Sequence, residues 1–257
     1  METIAVDEDG FPLEQGDYRM AGVVDPGTEI KVAFVEPAGT MTGKLFPTGN
    51  PQDTLVVGNP TALTEPFSVQ ATLIDCANPF VLVDGTTLPS NFVQGSAQWL
   101  ETIEDIRRKG AVMMGLADSE QQAALTRGTP KISIISPPTA TNSMTTIPDV
   151  SVLSMSMGQI HPSVQLTGAV CLAAAVSLKG TIPYQYCPSN QSNELVPDSR
   201  EQEPQGLLSN QPTKTVLIAH RSGQIPVGVR LQDGLPERCI VSRTARKLFE
   251  GNVLFYS

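Results

Sequence analysis

Along the chain, short runs of aliphatic and β-branched residues recur: KVAFVE, VQATLID, FVLVD, KISII, VSVLSMSM, TVLIAH, PVGVRL, RCIVS and NVLFY. Gly, Pro or Asp punctuates most of them, which predicts strands joined by turns. Two segments break this pattern. Between Ala97 and Ala117, Trp99, Ile103, Ile106, Met113 and Leu116 recur at helical spacing with charges on the other face, predicting an amphipathic helix that covers a sheet. From Thr167 to Leu178 the chain is apolar nearly all round and built of small residues, which predicts a central helix enclosed by sheet. The run from Cys187 to Thr213 is polar, Pro-containing and aperiodic, and reads as a long surface excursion or disordered loop. Mostly β, with one buried and one covering helix, the chain belongs to the α+β class on this reading.

Composition narrows the functions available. With 257 residues and 40% apolar content the chain has enough material for a substantial core. A net charge of −9 and the lack of a basic run argue against a nucleic-acid surface, so an anionic ligand has to be held locally. The stretch LTGAVCLAAAVSL is too short to span a bilayer, and METIAVDEDG lacks the features of a signal peptide, so the expected location is the cytosol. Four scattered cysteines form no C-x-x-C pair, and two histidines show no ligand spacing, so reduced thiols and no metal site are expected. No G-x-S-x-G, Walker loop or G-x-G-x-x-G is present.

The segment GKLFPTGNPQD, residues 43–53, admits two readings. Gly, Pro and Asn make it a turn by residue type. Alternatively Thr48, Gly49 and Asn50 offer small donors and exposed backbone N–H groups to an anion, beside Lys44.

Several motifs in order, GDYRMAGVVDPGTEIKVAFVEPAGTMTGKLFPTGNPQDTL, ATLIDCANPFVLVD, KGAVMMGLA, SMSMGQIHPSVQLTGAVCLAAAVSLKGTI and SRTARKLFEGNVLFY, together resemble the PrpF family from about Gly16 to Tyr256. The resemblance implies a cofactor-independent isomerase of unsaturated polycarboxylates such as 2-methylaconitate, 3-methylitaconate, aconitate or oxalomesaconate. It also implies the diaminopimelate epimerase fold, two lobes each made of a curved sheet round a central helix, with the site between them. On that pattern residues 1–68 are the remaining part of the first lobe. Residues 69–243 form the second lobe, with its central helix at about 167–178 and a polar loop at 187–213, and 244–257 return as a strand to the first lobe. The family's Met-Arg-Gly-Gly-Thr-Ser-Lys and Gly-Asn-Cys-Gly-Asn segments, which carry the lysine and cysteine thought to move the proton, have no match here. The chain therefore looks like the later part of a family protein. Poor catalysis by residues 1–257 alone is expected. A non-catalytic member, or a carboxylate-binding accessory module, remains an alternative, with a second copy or a partner chain covering the incomplete lobe.

Double-bond migration removes an allylic proton, holds a dienolate and returns a proton elsewhere, so it needs an acid, a base and donors for carboxylates. By the resemblance, QLTGAV places Thr167, Gly168 and Ala169 at the N-terminus of the central helix, where free N–H groups attract an anion; the alternative is tight helix packing. Asn78 in CANPF matches a substrate-contacting Asn-Pro, or is simply a turn residue. His161 and His220 are the candidate proton carriers, with capping or packing as their alternatives. Arg221 and Ser222 follow His220 in HRSG, a cationic turn able to grip a carboxylate or merely to close a hairpin. Arg243 and Arg246 are weaker sources of positive field. Cys76 matches no catalytic cysteine of the family, and Cys171 lies in the apolar helix, so both are expected to be buried and inert. The epimerases' second catalytic cysteine falls near Gln165. The same resemblance brings Thr48, Gly49 and Asn50 to the cleft wall, and less firmly Lys44.

Overall fold

The computed structural model describes residues 2–6, 8, 13, 15–58, 66–138, 146–191, 213–245 and 251–252. Its strands are β1 (Glu2–Ile4), β2 (Glu29–Val35), β3 (Asp53–Val57), β4 (Phe67–Asp75), β5 (Pro79–Asp84), β6 (Lys131–Ser136), β7 (Val150–Ser156), β8 (Gln159–Ile160), β9 (Lys214–His220), β10 (Gly223–Gln232) and β11 (Leu235–Thr244). Its α-helices are α1 (Ala97–Met113), α2 (Glu120–Leu125), α3 (Leu166–Ser177), α4 (Ile182–Tyr186) and α5 (Pro188–Gln191). One sheet runs in the order β1-β2-β11-β10-β9-β7-β6-β5-β4-β3, with β8 paired to β7. Strands from before and after residue 68 therefore share it. The architecture is α+β, as the sequence predicts.

Two neighbouring pairs in this sheet are parallel, β5 with β6 and β7 with β9. A parallel pair needs a crossover connection, and the two crossovers carry the two large helices. Between β5 and β6 run α1 and α2; between β7 and β9 run α3 and α4. Strand periodicity then sorts side chains between them. On β5, Phe80 and Leu82 join the core around α3, while Val81 and Val83 join the core under α1. β6 does the same with Ile135 on one side and Ile132 and Ile134 on the other. Burying such a side chain contributes about 1.5–3 kcal/mol, and both faces of the central strands gain it.

Helix α3 is buried at every position from Gly168 to Val176, as its uniformly apolar sequence predicts. Helix α1 is capped by Ser96, whose hydroxyl accepts the Trp99 N–H at 3.2 Å. It ends at Gly115, φ 71°, where the Gly115 N–H reaches Val112 O and the Leu116 N–H reaches Ala111 O. Two expectations for this helix need correction. Met113 is 40% exposed and Met114 takes the buried position, because Ile103, Gly110 and Met114 fall on one stripe. Glu104 and Arg107 are buried, because α2 and the segment after it lie over them. Within 187–213, Pro188–Gln191 are helical, while 192–212 lie outside the described residues, as do Arg246 and most of the NVLFY run. Among the described residues no helix is long and apolar enough to cross a membrane.

Candidate active site

Helix α3 starts without a side-chain cap: Gln165 occupies the N-cap position and makes no capping bond. The first N–H groups of a helix have no intrahelical partner, and those of Leu166, Thr167 and Gly168 have none among the described residues. Ala169 is not among them, because its N–H donates to Gln165 O at 2.8 Å. Gly168 is tightly enclosed: a Cβ there would lie 3.1 Å from the Phe80 ring and 3.2 Å from Gln165 Oε1. The Gln165 amide donates through Nε2 to Met155 O at 2.8 Å, while its Oε1 is buried without a partner among the described residues. A buried acceptor left unmet costs free energy unless something enters to donate to it. Asn78 sits two residues before Phe80, at the same end of α3, and its side-chain amide has no partner among the described residues.

The histidines meet next to this helix start. His161 Nδ1 lies 2.8 Å from Ser163 O and accepts the Ser163 N–H at 3.1 Å, so the ring closes the turn that leads into α3. Ser222 donates its hydroxyl to Pro162 O at 2.6 Å, tying the β9–β10 hairpin to that turn. Its N–H donates to His220 Nδ1 at 3.2 Å, and the Ser163 hydroxyl lies 3.5 Å from the same nitrogen. A nitrogen accepting a backbone N–H carries no proton, so His220 is neutral with its hydrogen on Nε2. Burial, then Arg243 and His161, lowers its pKa from the ordinary value, in agreement with that assignment.

His220, Ser163, Val164, Gln224, Met20 and Arg243 are among the residues lining a pocket of about 160 Å³. Arg243 is partly buried, donates to Ser242 O at 3.1 Å, and pairs with no carboxylate among the described residues. Burial lowers its pKa, with the Tyr18 phenol opposing. The arginine follows Cys239 and Val241 on the β11 face that turns toward α3, a parity readable in the sequence. Ser163 and Gln224 carry no such signal. Arg221 stays exposed on the hairpin, away from any partner among the described residues.

The loop from 43 to 53 lies elsewhere. Thr48 donates to Asp53 Oδ2 at 2.8 Å and Asn50 Nδ2 to Asp53 Oδ1 at 3.2 Å, so both side chains are engaged on the start of β3. Gly43 and Gly49 supply left-handed turns with φ of 74° and 86°, and Lys44 is exposed. A Cβ on Gly180, beyond the C-terminal end of α3, would lie 3.0 Å from Pro51. Thr48, Gly49 and Asn50 thus sit at the opposite end of α3 from Thr167 and Gly168. The loop's other end is fixed by the buried Asp75 carboxylate, which accepts from Thr40, the Met41 and Thr42 N–H groups and the Thr42 hydroxyl at 2.7–2.9 Å. Burial pushes the Cys76 and Cys171 thiols well above their ordinary pKa, and both are inert packing residues. No cluster of metal-ligating side chains occurs among the described residues.

The sequence profile described as PrpF protein matches residues 3–199. The chain is 30% identical to 3-methylitaconate isomerase of Eubacterium barkeri, over 96% of this chain and 61% of the relative. It is 30% identical to 2-methyl-aconitate isomerase of Shewanella oneidensis, over 95% and 60% respectively. A crystal structure of methylitaconate-delta-isomerase superposes with a TM-score of 0.71 at 27% identity, covering 98% of this chain and 62% of that one. The chain spans about three fifths of the length of these relatives.

Proposed function

Because the chain belongs to the PrpF family, we propose that it serves proton-transfer isomerisation of an unsaturated di- or tricarboxylate, and that the pocket beside the α3 N-terminus holds the carboxylates. The observation that carries this reading is Arg243: a partly buried guanidinium with no counter-charge among the described residues, facing a pocket with a neutral histidine. An uncompensated buried cation is costly, and a carboxylate entering the pocket would offset that cost through charge-assisted hydrogen bonds. Neutral His220 offers Nε2–H as a further donor, suited to a carboxylate that gains charge as the dienolate forms. Open N–H groups at Leu166 to Gly168 lie next in line along the chain from Ser163 and Val164. The four thiols are buried and unpaired, which favours a reducing, cytosolic setting for this chemistry.

Calorimetric titration with trans-aconitate, together with proton NMR of 2-methylaconitate and 3-methylitaconate in heavy water, tests the reading. Wild-type protein is expected to bind the tricarboxylate, and Arg243→Gln to weaken binding by about 10–100-fold, the loss of a charged hydrogen-bond pair. Folded protein that neither binds these acids nor exchanges their allylic protons would sink the proposal.

A further inference from the structure

A second recess lies on the other side of the central sheet, under α1, and it is electropositive in a chain whose net charge is −9. Arg107, Arg127 and Lys131 line it together with one carboxylate, Glu104. That carboxylate is already saturated with positive partners: Arg107 grips it through Nε and Nη2, both at 2.8 Å, and Arg108 Nε lies at 2.9 Å. Arg107 spends its remaining donors on the carbonyls of Ala123, Thr126 and Thr129 at 2.8–3.3 Å, which fixes the segment that carries Arg127. Arg127 and Lys131 themselves have no hydrogen-bond or ion-pair partner among the described residues.

The placement of Arg127 depends on the β7–β8 turn. Met157 and Gly158 both have positive φ, 50° and 79°, and a Cβ on Gly158 would fall 2.6 Å from Arg127 Nη2. The guanidinium therefore points its Nη2 edge at the glycine, over the β7–β8 turn. The recess encloses about 30 Å³, room for a small ion at its mouth and none for a nucleotide. We propose that it binds one small oxyanion of the phosphate class, held between Arg127 and Lys131. Tetrahedral oxygens match a forked guanidinium and an ammonium, whereas chloride offers none of that directional bonding. The site is separate from the carboxylate pocket, which uses Arg243 and His220.

The test titrates the isotopically labelled 257-residue chain with inorganic phosphate against chloride at matched ionic strength, following the Met157 and Gly158 amides by NMR. A saturating shift at these amides with phosphate alone is expected. Replacing Arg127→Gln and Lys131→Gln together should weaken it by about tenfold or more, while Arg243→Gln leaves it unchanged. Both replaced side chains lie at the surface or partly so, and the wild-type titration stands alone should the double variant fold poorly. Equal responses to phosphate and chloride, shifts gathering instead at Ser163 and Gln224, or wild-type affinity in a folded double variant would each overturn the assignment.

Discussion

The bond from the Ser222 N–H to His220 Nδ1 can form only while the ring is unprotonated, so the fold favours neutral histidine. The sign of the pH effect follows. His220 has its pKa lowered on folding, so the stability it adds is complete above the unfolded-state value near 6.5 and is lost as pH falls through the lower folded-state value. Replacing His220→Asn, which keeps an acceptor near the Nδ1 position, should flatten the drop in urea midpoint between about pH 7.5 and about pH 5.5. Identical slopes in wild type and variant would refute the neutral-ring assignment. Arg243 shows why residue-level reading of the sequence reaches only part of the pocket. Its parity with Cys239 and Val241 points it inward, but the absence of a nearby carboxylate among the described residues is a property of the folded neighbourhood. Thr48 and Asn50 show the reverse, since their donors are free in the sequence and engaged on Asp53 in the fold.

Among the elements, α1 and α3 were legible because their apolar spacing repeats over several turns, and most strands because β-branched runs end in turn residues. Short pieces were not: β3 is five residues long and α2 six, too few to establish a period. Missing α2 hid the burial of Glu104 and Arg107, since α2 and the segment after it supply the carbonyls that satisfy the guanidinium. Gly110 marks a finer constraint on α1. A Cβ there would sit 2.4 Å from Val81 Cγ2 and 3.5 Å from Leu73 Cδ2, so the helix lies close against β4 and β5. Gly110→Ala should therefore destabilise by about 1–3 kcal/mol through overpacking, despite a helix-propensity gain of about 1 kcal/mol. A urea midpoint raised by this substitution would show that the helix can lift off at no cost.

At the scale of the whole molecule, β5, β6 and β7 put side chains into both hydrophobic clusters, so neither cluster can come apart while the other keeps its wall. Ile103→Ala under α1 and Leu172→Ala in α3 should each remove about 2–5 kcal/mol and lower the same cooperative thermal transition. Two transitions that respond separately, one to each substitution, would contradict this. The segment from Gly39 to Pro51 adds a mechanical property. It is pinned to β4, where the Gly39 N–H meets Asp75 O and the Asp75 carboxylate gathers its four donors, and it abuts Gly180 beyond the C-terminal end of α3. Helix α3 is itself buried from Gly168 to Val176, and close packing of that kind seats it like a stone in its mount, so its open N–H groups present a preformed face to the proposed pocket. Recognition should then resemble a key in a lock cut beforehand: adding trans-aconitate should leave the amide hydrogen exchange of α3 beyond its first turn unchanged.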